Sequence, residues 1–256
     1  MTIPRLYIPR PLAVGELCNA TPGQTRYIRG VMRMHDGDAL LVFNGTGHEY
    51  DAAVRQGPEG LALEITGGRA VSAEGIEITL CQAVPKAEKL DGIIRRATEL
   101  GAGRIVPFLA ERSIPRWPAA KAQLKRERWQ KIALEAARQC GRTDIPEIAE
   151  IAVYDEMLRL ASAGALNLIL WEEEADRGIR ATLRDPAYAA AKNFLLVIGP
   201  EGGFSRDEID RARAAGLQSV SLGKRVLRVE TAALSVLAIL QYERGALGVA
   251  AGESAP

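Results

Sequence analysis

Two short stretches near the C-terminus hold the residue types that do chemistry. Gly199-Pro200-Glu201-Gly202-Gly203 sets a carboxylate among three glycines, and Leu222-Gly223-Lys224-Arg225-Val226-Leu227-Arg228-Val229-Glu230-Thr231 sets three cations and a second carboxylate after another glycine. Glycine lacks Cβ, so the backbone amides and carbonyls of such turns can approach a flat or bulky ligand closely. Arginine stays protonated: Arg225 and Arg228 can hold a phosphate or polarise a carbonyl but cannot take up a proton. Glu201 and Glu230 are carboxylates that can; Glu230 could equally orient Arg228 or complement a helix N-terminus. Neither stretch has the G-x-G-x-x-G spacing of a dinucleotide site, and no Gly-Lys-Ser/Thr makes a P-loop. His35 and His48 are the only histidines, so a Ser-His-Asp hydrolase and a metal centre are both disfavoured. Cys18, Cys81 and Cys140 are odd in number and far apart, which indicates no disulfide framework; Cys140 reads as a packed thiol.

The elements that must position these turns are legible around them. Phe194-Leu195-Leu196-Val197-Ile198 is uncharged and rich in strand formers, as a strand buried on both faces is. Ser205 with Glu208 forms a capping box, Phe204 can staple onto Ile209, and Gly216 closes the helix. The first turn therefore lies at the carboxyl end of a strand and the amino end of a helix, where open α/β sheets bind ligands. Ser219-Val220-Ser221-Leu222 and a helix from Thr231 to Tyr242 repeat the arrangement, so the two turns could form two walls of one pocket. Strands at 76–83, 105–108 and 166–171 alternate with helices at 86–100 and 119–140, the grammar of a parallel sheet. The long helix has an apolar stripe of Trp129, Ile132, Ala133, Ala136 and Ala137.

The first 70 residues read differently. Short apolar runs are punctuated by Pro9-Arg10-Pro11, Asp36-Gly37-Asp38, Asn44-Gly45 and Gly57-Pro58, as in a small antiparallel barrel or sandwich. Asn44-Gly45 marks a hairpin. Arg26 to Met34 could be a short helix with Ile28, Val31 and Met32 on one face and Arg26, Arg29 and Arg33 on the other. A linker is expected at Thr66-Gly67-Gly68-Arg69 or Ala73-Glu74-Gly75. The division expected is residues 1–70, residues 75–245 and a flexible tail at 246–256.

With a net charge of +1 the chain is no uniformly basic nucleic-acid binder, but its cations are clustered. Arg112 to Arg142 holds nine cations against two anions, and Met1 to Met34 holds five arginines against Glu16. Such regions suggest a local phosphate footprint, although solvated helix faces are also often basic. No apolar run reaches the ~18 residues of a membrane span, and the N-terminus lacks an apolar leader, so a cytosolic protein is expected.

Ile198-Gly199-Pro200-Glu201-Gly202-Gly203-Phe204-Ser205 followed by Leu222-Gly223-Lys224-Arg225-Val226-Leu227-Arg228-Val229-Glu230-Thr231-Ala232 closely resembles the paired signature of the RsmE family. The resemblance extends over nearly the whole chain, through Arg5-Leu6-Tyr7, Val31-Met32-Arg33-Met34, Thr98-Glu99-Leu100-Gly101, Glu111-Arg112-Ser113 and Glu135 to Arg142. Tyr27 stands where relatives often have histidine, and Arg96 where lysine is common.

The resemblance implies a PUA-like β-barrel RNA-binding domain and then an α/β SPOUT methyltransferase domain with a C-terminal trefoil knot. It implies S-adenosyl-L-methionine as methyl donor, N3 of a uridine in 16S ribosomal RNA of the small subunit as acceptor, a homodimer, and no metal. Mapped here, the cofactor residues are Leu170, Trp171 and Glu172, then Ile198, Gly199, Pro200, Gly202 and Gly203, then Leu222, Gly223, Val226, Leu227, Arg228, Thr231 and Ala232. Arg228 is the candidate stabiliser of the base anion, with Glu201 or Glu230 as base. Arg5, Arg10, Arg29, Arg33, Lys86, Arg112, Arg128, Arg138, Arg142 and Arg225 are the candidate RNA contacts. A non-catalytic RNA-binding or ribosome-assembly protein and a nucleotide-binding α/β enzyme stay open as alternatives; cofactor binding discriminates between them.

Overall fold

The computed structural model of the chain describes residues 3–57, 59–71, 75–245 and 247–248. They divide into two compact units, the described residues of Met1–Ala73 with Ala137–Ile145, and those of Glu74–Ala136 with Pro146–Pro256. Nothing in the sequence pattern assigns 137–145 to the first unit. Of the expected tail at 246–256 all but Leu247 and Gly248 lies outside the described residues, as do Ala73 and Glu74 of the expected linker.

The first unit contains β1 (Arg5–Tyr7), β2 (Leu17–Asn19), α1 (Pro22–Arg26), a π-helical turn at Tyr27–Val31, β3 (Ala39–Phe43), β4 (His48–Gly57) and β5 (Gly60–Ala70). Its strands form one sheet in the order β1-β3-β4-β5-β2, antiparallel except for the parallel β1–β3 pair. That short, mainly antiparallel sheet is in keeping with the small β domain expected from the turn spacing. Asn44-Gly45 does lie in the β3–β4 connection, and Gly45 and Gly47 both have the positive φ that favours glycine. The expected linker Thr66–Arg69 instead lies within β5: Gly67, Gly68 and Arg69 pair with Asp51, Tyr50 and Glu49, and Thr66 falls at a register shift. The expected helix at 26–34 is split: Thr21 caps α1 through a capping box, and the chain then widens into the π turn. Ile28 is buried, but Val31 is left exposed on the face expected to be covered, because the wider turn breaks the 3.6-residue register. Ile28, Leu40, Val42, Val54, Leu63 and Ile65 lead the core of this unit.

The second unit follows a βα grammar: β6 (Glu77–Ala83), α2 (Lys89–Glu99), β7 (Arg104–Leu109), α3 (Ala119–Cys140), β8 (Glu147–Ile148), β9 (Ala152–Val153), α4 (Tyr154–Leu158), β10 (Ala165–Leu170), α5 (Ile179–Leu183), a 3-10 turn at Pro186–Tyr188, β11 (Asn193–Ile198), α6 (Arg206–Ala214), β12 (Gln218–Val220) and α7 (Val229–Arg244). Every strand pair is parallel, in the order β12-β10-β11-β6-β7-β8 with β9 also on β7. β11 is buried along all but its first residue, which is why its sequence carries no charge. Trp129 of α3 is core, and its Nε1 donates to Asp91 at 3.0 Å. Cys140, expected to be packed, is exposed as the last residue of that helix, three positions after Ala137 of its apolar stripe. Among the described residues no helix is long and apolar enough to cross a membrane.

Candidate active site

β10, β11 and β12 are neighbours in the sheet, so the loops leaving their carboxyl ends meet. Together with the first turn of α2 they enclose a cavity of about 790 Å³. From the β10 loop it is lined by Leu170, Trp171, Glu172, Glu174, Ala175 and Gly178; from the β11 loop by Ile198, Gly199, Pro200, Glu201 and Gly203; and from the β12 loop and α7 by Val220 through Val229 and Ala232. The two glycine turns thus share one cavity.

Each wall is fixed by local chemistry. After β11, the Gly203 amide donates to the Pro200 carbonyl at 2.9 Å, and Gly203 takes a left-handed φ of 66°. That φ favours glycine, and a Cβ there would displace the exposed Glu172 carboxylate. Ser205 and Glu208 form the expected capping box and start α6 immediately behind the turn. Phe204 and Ile209 are buried in one cluster, and Gly216 ends the helix at a φ of 88°. After β12, the Ser221 amide donates to Arg177 O at 2.8 Å and Ser221 O accepts from Ile179 N at 3.0 Å, which ties the second turn to the β10 loop. Gly223 has a φ of 115°, and its Cβ position has no atom within 4 Å.

The rim is charged and the interior largely apolar. Glu201 accepts hydrogen bonds from Lys89 Nζ at 2.9 Å and from the Lys86 amide at 3.2 Å. Burial raises the Glu201 carboxyl, but these donors overcome it and hold it below the usual carboxylate range. With its oxygens so occupied Glu201 is a poor proton acceptor. Lys89 is correspondingly raised, chiefly by the Glu201 hydrogen bond. Glu174 is buried and accepts from Ser219 Oγ and Arg213; burial raises its pKa, and these donors lower it further than burial raises it. Arg213 also lies 5.5 Å from the Trp171 ring centroid. Trp171 Nε1 is buried without a hydrogen-bond partner. Lys224, Arg225 and Arg228 line the cavity with no side-chain partner among the described residues.

Of the residues proposed from sequence for the cofactor, all but Gly202 and Thr231 line the cavity. Gly202 turns away, its carbonyl accepting from Arg112 Nη1 at 2.7 Å, and Thr231 is exposed one position off the helix face that carries Ala232. Glu201 and Arg228 are on the wall, but Glu230 is not: its Oε2 is buried without a hydrogen bond, 3.7 Å from Lys89 Nζ. Lys89, Glu174 and Gly178 were not foreseen; no motif surrounds them, and only the fold brings them in.

The proposed RNA contacts scatter. Arg225 is on the cavity rim. Arg5 and Arg142 are both largely buried: Arg5 pairs with Glu49 and donates to Arg142 O, and Arg142 pairs with Asp144. Both are tied into the first unit, so neither is a free phosphate ligand. Arg10 pairs with Glu16, Arg29 donates to Met34 O, Arg128 pairs with Glu88 and Asp91, and Arg138 lies over the Tyr27 ring. Arg33 and Lys86 are exposed, and Arg112 is exposed while holding the Gly202 carbonyl. Arg116, Lys121 and Lys131, not selected from sequence, are exposed cations. Among the described residues no group of three or more His, Cys, Asp or Glu could hold a metal.

A parallel α/β domain with a cavity of glycine turns at three adjacent strand ends, preceded in sequence by a small β unit, has the organisation of an RNA methyltransferase domain with its PUA domain. Models of those domains match residues 72–241 and 21–66. A ribosomal RNA small subunit methyltransferase E from Bacillus subtilis (strain 168) is 31% identical over 229 residues, 87% of this chain and 89% of that protein. The crystal structure of a protein of the same name from Neisseria gonorrhoeae, bound to S-adenosyl methionine, is 29% identical with a TM-score of 0.85, covering 96% and 100% of the two chains. A Legionella pneumophila structure described as a methyltransferase with the bound cofactor SAM is 32% identical with a TM-score of 0.84, covering 96% and 99%. The chain belongs to the ribosomal RNA small subunit methyltransferase E family.

Proposed function

We propose that the protein transfers a methyl group from S-adenosyl-L-methionine to N3 of a uridine in 16S ribosomal RNA of the small subunit. The observation that carries this is the single cavity formed by both glycine turns, apolar inside and ringed by Lys224, Arg225 and Arg228. Its residues fit an adenosyl group: Leu170, Ile198, Val220, Leu222 and Leu227 offer apolar faces, Gly223 with open space at its Cβ position leaves room for close approach, and the orphaned Trp171 Nε1 offers a donor. The similar proteins carrying the bound cofactor support the same occupant.

When bound, that group supplies a methyl on a cationic sulfur. The remaining work belongs to the chain and the RNA. The imide N3 of uracil must lose its proton before it has a lone pair in the ring plane to offer. Arg228, unpaired on the wall, stabilises the resulting anion through a base carbonyl. Glu201 serves as the electrostatic partner of Lys89, and the proton passes to water. Arg116, Lys121 and Lys131, with Arg26 and Arg33 of the first unit, are exposed cations suited to RNA phosphates. The uridine must be unstacked to reach a cavity of this depth.

A C-terminal trefoil knot is part of the proposal, and the bridge of Ser221 to the Arg177–Ile179 segment supports it. So is a homodimer: Val226 on the rim is 84% exposed and Tyr242 of α7 is 68% exposed, apolar surface that a second copy would cover. The ribosomal substrate places the protein in the cytoplasm. Mass mapping of methylated nucleosides in ribosomal RNA from a strain lacking the gene tests the reading: one N3-methyluridine of 16S RNA should vanish, and an unchanged nucleoside profile would overturn it.

A further inference from the structure

Lys89 opens α2 and belongs to neither glycine turn, yet it stands on the cavity wall. Its Nζ is 2.9 Å from Glu201 Oε1 and 3.7 Å from Glu230 Oε2, so one ammonium is held by carboxylates carried on the two different motifs. An ammonium has three hydrogens to donate. Glu201 accepts one, while the distance to Glu230 is too long for a hydrogen bond and leaves that oxygen without one. The side chain is 37% exposed, so donor capacity faces open space. Arg228, which has no side-chain partner among the described residues, lines the same cavity. Two cations on the lining of one cavity, one of them with donor capacity to spare, can meet an incoming negative charge.

We propose that Lys89 is a second catalytic cation, acting with Arg228 to hold the two carbonyl oxygens of the target pyrimidine while its imide loses a proton. The role rests on the uridine-N3 reading above. In that step the N3–H bond breaks, the proton passes to water, and the electron pair stays on the ring, spread over N3 and the oxygens at C2 and C4. Those two oxygens flank N3 and call for two donors, one to each side. Because Lys89 Nζ is hydrogen-bonded to Glu201 and paired at 3.7 Å with Glu230, its ammonium is in place before the charge develops.

The test uses the full-length protein and a short small-subunit RNA carrying 5-fluorouridine at the methylated position, whose N3 is more acidic and whose fluorine reports ionisation by NMR. Without any methyl donor, wild type should lower the N3 ionisation midpoint of the bound base by about one pH unit relative to the free RNA. Lys89→Met should abolish most of that shift, and Lys89→Arg, which keeps the charge, should retain at least half. With the donor present, Lys89→Met should lose about 100-fold in kcat on uridine RNA with KM within about threefold. It should recover about tenfold or more on 5-fluorouridine RNA, because the acidic base needs less help. Circular dichroism and thermal unfolding establish that the variant is folded. A folded Lys89→Met that shifts the midpoint as wild type does, or that loses equally on both RNAs, would overturn the assignment. Wild type that forms no N3-methyl product on either RNA would instead overturn the substrate reading on which it rests.

Discussion

Gly223 and Gly216 make a matched pair for testing the cavity. Both have positive φ, 115° and 88°, and neither has an atom within 4 Å of its Cβ position. Replacing either by alanine therefore displaces no protein atom, and the folding cost is backbone strain alone. For an L-residue forced into left-handed backbone that cost is about 1–2 kcal/mol. In a chain of this size it lowers Tm by about 2–8 °C, with Gly223 at the upper end because its φ lies further from the left-handed minimum. The two differ in position: Gly216 ends α6, and Gly223 lines the cavity. Calorimetric titration with S-adenosyl-L-methionine should find Gly216→Ala binding as wild type does and Gly223→Ala binding about tenfold more weakly, a loss of about 1.4 kcal/mol. Gly223→Val should bind more weakly still. Equal affinity for Gly223→Ala and wild type would refute the assignment of the second turn to the ligand, and equal losses in both alanine variants would show that strain anywhere in the unit suffices.

Removing Arg5 as Arg5→Met leaves Glu49, which is 5% exposed, with Arg69 as its remaining partner, and should cost about 3 kcal/mol in urea unfolding; a change under about 1 kcal/mol would mean the pair is solvated. The Glu201 carboxyl is depressed in the folded state, so its contribution to stability is full above its usual value near 4.5 and fades as pH falls through the lower folded value. Wild type and Glu201→Gln should accordingly differ in urea midpoint at pH 7 and converge in acid; a constant difference down to pH 2.5 (about two units below the usual value) would contradict the Lys89 pairing. Arg116→Ala with Lys121→Ala and Lys131→Ala should weaken RNA binding and flatten its salt dependence by up to about 0.9 per lost phosphate contact while leaving cofactor affinity intact, measured by fluorescence anisotropy. An unchanged salt slope would move the footprint elsewhere. A thiol reagent should label native protein at Cys140 first, since Cys18 and Cys81 are buried and burial pushes the Cys81 thiol up to about 12; mass spectrometry showing prior labelling at Cys81 would contradict that.

Local signals were legible wherever the physics is local. Ser205 and Glu208 announce a helix start because a capping box satisfies its own amides within four residues, and Gly216 announces the end because only the left-handed backbone needs glycine. The uncharged run at 194–198 reads as a strand covered on both faces because no polar residue could be tolerated on either. The same locality explains the failures. A π turn at Tyr27–Val31 looks like ordinary helix in sequence, and β5 runs through Gly67-Gly68, which reads as a linker until its partner strand is known. Arg5 and Arg142 look like RNA ligands because charge is visible and burial is not; each is held by a carboxylate distant in sequence or by a backbone turn.

By itself, then, the sequence determined the type of each element, the glycines whose backbone or close approach excludes side chains, and the pairing of two motifs that marks the family. The tertiary structure decided which residues share a surface. Parallel strands β10, β11 and β12 lie side by side although other elements separate them in the chain, and that adjacency alone joins the two glycine turns. It also brings Lys89 onto their cavity wall, moves Glu230 behind it, and turns Gly202 and Thr231 away. Side-chain periodicity records which face of an element is buried; it carries no record of which element buries it.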